Sequence, residues 1–212
     1  MSVSTSTAAP AAPRHRLTTD QRQREIVAAV LALARERGPD AITTQAIADR
    51  MGLTQGAVFR HFPDKQAIWL AVFAWVRESL GAAIAEAMAK GDSPLAKIER
   101  AFLAHVGFIA ANPGVPRVMF HEMQYPGDSP VRAEVRAMIS AYRQRLTLLF
   151  TEAKAAGELP RDLDATLAPV PFIGAVQGLV IEASLAGDEA GMARRARKLW
   201  PLLLDGYRGR RK

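Results

Sequence analysis

The 212-residue sequence contains no cysteine. Disulfide staples, zinc ribbons and thiol catalysis are therefore excluded, and a reducing, cytoplasmic setting is expected. Aromatic residues are scarce, at 7%, and alanine and leucine dominate the apolar set, a bias that favours helix over strand. Strand-like alternation of useful length and internal repeats are both lacking. No window reaches ~18 uninterrupted apolar residues, so no membrane span or membrane partner is expected. Met1–Pro13 has neither the basic start nor the long apolar run of a signal peptide. Its Ser, Thr, Ala and Pro content reads as part of a disordered arm over residues 1–17.

Catalytic signatures are missing too. The chain has no GxSxG, no GxGxxG and no phosphate-binding loop. An enzyme would have to be assembled from scattered carboxylates such as Glu122 and Glu182, so no enzymatic activity is expected. The four histidines (His15, His61, His105 and His121) fit no zinc spacing, and His121-Glu122 lacks the second histidine of HExxH. No metal and no cofactor are expected.

What is present points to helices. Apolar residues make up 49% of the chain, enough for a large buried core. Ile26, Val27, Val30, Leu31 and Ala34 form one apolar face, opened by Thr19 or Asp20 as cap and closed by Gly38-Pro39. A short helix begins at Thr43 or Thr44 and ends at Gly52, and another spans about Gln55 to His61. Pro63-Asp64 opens a long helix from about Lys65 to Lys90. Ser93-Pro94 and Ser129-Pro130 each pair a cap with proline at the first helical position. They predict helices to about Ala111 and Ala156, with a brief helix from Arg117 to Gln124 between. Leu163–Ala186, bent or delayed by Pro169 and Pro171, and Asp188–Tyr207 complete about nine helices in an all-α fold.

Net charge is +7 and unevenly spread. Residues 1–65 carry +3, residues 66–193 carry −3, and residues 194–212 carry +7. A basic chain suggests a polyanionic partner, although residues 208–212 read more simply as a solvated basic tail.

The most informative stretch is Ala41 to Leu70, AITTQAIADRMGLTQGAVFRHFPDKQAIWL. Ile42, Ile47, Ala48 and Met51 give the first short helix an apolar face. Gly52 suits a left-handed turn, Leu53 plugs the angle, and Thr54 caps the second helix. Val58 and Phe62 point inward, leaving Gln55, Gly56, Ala57, Arg60 and His61 outward. This is a helix-turn-helix whose second helix is free to enter a major groove. Small Gly56 and Ala57 allow close approach, Gln55 can bond adenine bidentately, and Arg60 can reach guanine or phosphate.

Over about residues 20–70 the chain resembles the tetracycline-repressor (TetR) family of transcriptional regulators. Thr43-Thr44, Ile47-Ala48, Gly52-Leu53, Gly56-Ala57-Val58-Phe59, His61-Phe62 and Lys65 carry the likeness. The resemblance implies a helix-turn-helix domain (18–63) on a helical effector-binding and dimerisation domain (64–207). It implies a homodimer that represses from a palindromic double-stranded operator and is released by a small-molecule effector. It places Thr44 and Lys65 on phosphates, Gln45 and Gln55 on bases, and His61 on the DNA backbone. Phe59 departs from the family's usual tyrosine: a phenyl ring cannot donate to phosphate but can pack on sugar or a thymine methyl.

The family's ligand pocket would lie in the helical body below the linking helix, with Trp69–Trp75 as lever. Phe102, Met119, Met123, Tyr142 and Phe172 are candidate walls; His105, His121 and Gln177 are candidate polar groups. The −3 middle section favours an apolar or cationic effector over a polyanion. For the dimer, Gly174, Ala175 and Gly178 lie beside Val176, Leu179 and Ile181, and the last helix offers Leu199, Trp200, Leu203 and Leu204. Two other classes remain open: a DNA-organising protein without effector, in which the basic ends matter most, and a helical enzyme.

Overall fold

The computed structural model describes residues 18–124 and 127–209. The expected arm and the end of the basic tail lie outside the described residues. Nine α-helices and one 3-10 turn (Pro39–Ala41) make up the described chain: α1 (Thr19–Arg37), α2 (Thr44–Met51), α3 (Gln55–Phe59), α4 (Lys65–Met88), α5 (Pro94–Ala111), α6 (Gly114–Gln124), α7 (Pro130–Ala155), α8 (Pro169–Ala186) and α9 (Met192–Arg208). No strand occurs among the described residues.

Helix starts are set by side-chain caps. Thr43 accepts from Ala46 N–H, Thr54 from Ala57 N–H, Asp64 from Ala67 N–H, Ser93 from Ala96 N–H and Ser129 from Arg132 N–H. Each bond satisfies one of the amides that a helix start leaves without an intrahelical partner. The first helix is capped one residue before the expected position. Thr18 Oγ1 accepts from Gln21 N–H (3.2 Å) and Gln21 Oε1 from Thr18 N–H (2.9 Å), a reciprocal capping box. Thr18→Ala should lower unfolding free energy by about 1 kcal/mol. Urea titration checks this, and an unchanged midpoint would remove the box from the stability argument.

Three later helix starts differ from expectation, and α3 and α4 each end two residues early, at Phe59 and Met88. The brief helix starts at Gly114 rather than Arg117, so that only Asn112 and Pro113 separate it from the end of α5 at Ala111. Residues 163–168 stay in turns: Asp164 Oδ1 accepts from Thr166 N–H, Thr166 O–H and Leu167 N–H, so α8 waits for Pro169. Asp188 likewise turns the chain by accepting from Gly191 N–H (2.9 Å) and from Arg195 (2.6 Å), which delays α9 to Met192.

The body is organised around α4 and α5. α4 packs against α1, α5 and α7, and α5 also meets α8 and α9. By length and mean hydropathy (1.4 over 18 residues), α4 and α8 could each cross a membrane, although neither contains an uninterrupted apolar run of ~18 residues. For α4, packing on several sides explains this composition. An Arg77–Glu134 ion pair further ties it to α7.

At the centre, Phe102 of α5 is fully buried. It meets Phe172 of α8 edge-on at 5.4 Å and Trp200 of α9 at 5.6 Å. Trp200 therefore belongs to the subunit's own core and is unavailable to a partner. Val176 and Leu179 are buried with it. Tyr207 donates to Ala168 carbonyl (2.9 Å) and pins the end of α9 to the start of α8.

Candidate nucleic-acid interface

The reading head is built from α1, α2 and α3. Ile47 and Ala48 of α2 and Val58 of α3 are buried with Ile26, Val30 and Ile42 in a core continuous with that of the body. Gly52 takes φ +63°, a left-handed conformation that a β-carbon resists, and this turn sets α3 across α2. Phe62 closes the core at 5% exposure. An Arg50–Glu36 pair (2.6 and 2.8 Å) joins α2 to α1. The guanidinium holds the Glu36 carboxyl below its usual range, and the pair occupies Arg50.

Helical period decides which α3 residues face out. Gln55, Gly56, Phe59 and Arg60 are exposed, spaced as one face. Ala57 is a correction: it is 9% exposed and turned toward the core beside Val58, one step around the helix. A β-carbon on Gly56 would meet nothing within 4 Å, so the surface above it is open. Phe59, at 41% exposure, presents an apolar ring there. Arg60 and Lys65 are exposed and take no ion pair among the described residues.

The remaining candidates surround this face. Thr43 and Thr54 are exposed but their hydroxyls are engaged as caps. Thr44 is half-buried and its Oγ1 accepts from Gln55 Nε2 (2.8 Å). Gln45 is exposed and donates through Nε2 to Asp49 Oδ1 (2.6 Å). His61 is half-buried; its carbonyl accepts from Gln23 Nε2 (3.0 Å), while its Nδ1 is buried with no partner among the described residues. Sequence reasoning overlooked Gln23, which fixes the end of α3 to α1.

The body residues divide into separate groups. Phe102, His105, Tyr142 and Phe172 come together: His105 Nδ1 and Tyr142 Oη lie 3.0 Å apart, and the Tyr142 and Phe172 rings lie 6.4 Å apart, edge-on. Burial holds the His105 imidazole down to about 4 and raises the Tyr142 phenol, so this cluster is uncharged at neutral pH. Met119 is partly buried against the same core. The other three stand elsewhere. Met123 is exposed at the end of α6. Gln177 is exposed on the outer face of α8. His121 Nδ1 lies 3.6 Å from Asp40, in a cleft of about 420 Å³ that also meets Lys65, Trp69 and Glu122.

His105 carries a pH consequence. Between its ordinary value of 6.5 and about 4, the unfolded chain takes up a proton that the native cluster refuses. Stability should therefore fall as pH drops through that window, and His105→Gln should flatten that part of the fall. Thermal midpoints at pH 7.5 and 4.5 for both chains test this; parallel losses would discount His105.

Connections between head and body were also missed in sequence. Arg117 of α6 donates to the Arg35 carbonyl (2.6 Å) in the last turn of α1. A β-carbon on Gly114 would stand 2.2 Å from the Leu31 carbonyl oxygen, so α6 and α1 touch backbone to backbone.

Residues 26–72 match the family model for bacterial regulatory proteins of the tetR family, and residues 91–181 match the tetracyclin repressor-like C-terminal domain. Nucleoid occlusion factor SlmA of Marinomonas sp. is 27% identical over 58% of this chain, and the match spans only 63% of that relative. SlmA of Sodalis glossinidius is 23% identical over 88% of this chain and 95% of its own. Among solved structures, the fatty acid degradation regulator FadR of Bacillus halodurans superposes with a TM-score of 0.76 at 19% identity, covering 89% of this chain and 97% of its own. The ketosteroid regulator KstR2 of Mycobacterium tuberculosis does so with a TM-score of 0.74 at 19% identity, covering 89% and 96%. At that identity the structural likeness speaks for the fold. Together with the two model matches and the helix-turn-helix geometry, it follows that the chain belongs to the tetR family of DNA-binding transcriptional regulators.

Proposed function

We propose that the chain is a homodimeric repressor that binds a palindromic operator through α3 and leaves it when a small apolar effector enters the body. The observation that carries the reading is the outward row of Gln55, Gly56, Phe59 and Arg60 on a helix joined to α2 by the left-handed Gly52 turn. Gln55 reads a base, Lys65 and Thr44 meet phosphates, and Arg60 meets guanine or phosphate. Phe59 packs on sugar or a thymine methyl. Gln55→Ala should weaken operator binding by about 1–3 kcal/mol and relax preference at one base pair. Lys65→Ala should weaken all duplexes alike and flatten the salt dependence. Titrations of operator and scrambled duplex at two salt concentrations separate the two. Uniform loss on Gln55→Ala would overturn its role as base reader.

The effector reading rests on the Phe102–His105–Tyr142–Phe172 cluster. Its groups are aromatic and uncharged, which suits an apolar guest with one hydrogen-bonding group. To release DNA, the guest must bind the DNA-incompetent conformation more tightly. Compounds that raise thermal stability and also lower operator affinity are the expected effectors. His105→Ala with Tyr142→Phe should demand more of the same compound, and release at unchanged concentration would move the pocket elsewhere.

One observation favours a second reading. The curated relatives quoted above are named nucleoid occlusion factors, so the DNA-bound chain could act on something other than transcription. A reporter gene carrying the selected operator distinguishes the two: repression supports the first, and binding without repression supports the second.

A further inference from the structure

Two amide side chains stand at the DNA-facing edge of the head, Gln45 in the first turn of α2 and Gln55 at the start of α3. Each is tied through its nitrogen. Gln45 Nε2 donates to Asp49 Oδ1 (2.6 Å), and Gln55 Nε2 donates to Thr44 Oγ1 (2.8 Å). A carboxylate only accepts, so Gln45 meets Asp49 with its NH₂ end. Neither Oε1 has a donor among the described residues. Both amides are thus held with the carbonyl oxygen and one remaining N–H unengaged.

We infer that Asp49 and Thr44 are positioning residues that set base preference by holding these two amides carbonyl-outward. This rests on the reading of α2 and α3 as the DNA interface. A carbonyl-outward amide accepts from an exocyclic amino group in the major groove. Adenine offers N6–H to Oε1 and takes the remaining N–H on N7; cytosine offers N4–H alone; guanine O6 and thymine O4 offer only acceptors. Adenine is therefore the preferred base at both positions, with cytosine second. With either amide reversed, guanine or thymine would be preferred instead.

Asp49 adds a signature that a merely structural residue would not leave. Its carboxylate is exposed on the same helical face as Gln45, one turn on, and adds negative charge to a surface that must approach phosphates. It weakens binding to every duplex while sharpening the choice at one base. Removing it should move the two readouts in opposite directions.

The test uses the full chain. Sequences selected from random duplexes give the preferred site, and Gln45→Ala and Gln55→Ala identify the base pair each amide reads. Dissociation constants are then measured for all four base pairs at those two positions. Asp49→Ala should bind unrelated duplex about threefold more tightly at low salt and lose about fivefold or more of the adenine preference at the Gln45 position. Thr44→Val should lose the preference at the Gln55 position, and Thr44→Ser should restore it. Unchanged thermal midpoints confirm that the variants are folded. Guanine or thymine selected at either position, or preferences that survive Asp49→Ala and Thr44→Val, would overturn the inference while leaving α3 as the reading helix. Absence of any selected sequence would instead overturn the parent reading.

Discussion

Replacing Ile181 and Leu185 together by arginine should leave a monomer that binds the operator about 10²–10⁴-fold more weakly than the parent chain. Ile181 is 54% exposed and Leu185 85%, and Leu202 of α9 is 69% exposed. Large apolar side chains at such exposure along one helix mark a surface that a partner covers. Val170, Gly174, Gln177, Gly178 and Ile181 fall at three- and four-residue steps on the open face of α8. A β-carbon on Gly174 or Gly178 would meet nothing within the subunit, so a second helix has room to approach closely. Beside them, α8 and α9 frame an apolar groove of about 430 Å³ between Ala175, Leu179, Leu199 and Leu202. In the proposed dimer the introduced arginines would place like charges on this largely apolar face. Under the proposed dimeric reading the DNA penalty follows from geometry: one reading head would reach one half-site, and the second would no longer arrive tethered. Sedimentation at micromolar concentration together with operator titration measures both effects. A variant that stays dimeric would place the interface elsewhere.

Gly114→Val should lower unfolding free energy by about 1–3 kcal/mol and weaken DNA binding as well. The first β-carbon alone would stand 2.2 Å from the Leu31 carbonyl oxygen and 3.0 Å from its carbonyl carbon, both backbone atoms that cannot swing aside. Either α6 moves off α1 or α1 bends. Both responses strain the Arg117 bond to the Arg35 carbonyl, three residues along α6. The head then loses a fixed attachment to the body beyond α4. Arg117→Met, which removes the bond without the clash, should cost less, about 0.5–1.5 kcal/mol. Denaturant unfolding of the three chains gives the order. Equal stability of Gly114→Val and the parent would mean that α1 and α6 do not touch as described.

The helix-turn-helix was legible because its determinants are local. A capping threonine three residues before the amide it serves, a glycine at the left-handed turn and inward positions three to four residues apart all lie within one short window. The same local rules found α5 and α7 from Ser93-Pro94 and Ser129-Pro130. They failed where the deciding contact is distant or unusual. Ala57 looks like an outward small residue until the structure shows it buried beside Val58, one position around the helix. Trp200 looks like interface material until Phe102, almost one hundred positions earlier, is seen against it. Pro113-Gly114 reads as a loop, whereas close approach to Leu31 is what requires the glycine.

The body illustrates the same division. Phe102, His105, Tyr142 and Phe172 were grouped by residue type and do meet in space. His121, Met123 and Gln177 were grouped with them on the same grounds, yet they stand on other faces. Helical phase places Gln177 on the open face of α8, and a longer window would have shown this. The Gln45–Asp49 link is visible in sequence as an i, i+4 pair. The Thr44–Gln55 link needs the turn geometry at Gly52 before the two side chains can be placed together.

Selection of bound duplexes from a random pool by the full chain, followed by footprinting of the winner, tests the proposed DNA reading most directly. A single two-fold sequence should emerge, with half-site centres roughly 34–36 Å apart or a multiple of that along the helix. The parent chain should protect both halves, and the Gln55→Ala chain should lose preference at one base pair in each. Recovery of unrelated duplexes bound only in proportion to their charge would contradict sequence-specific recognition by α3.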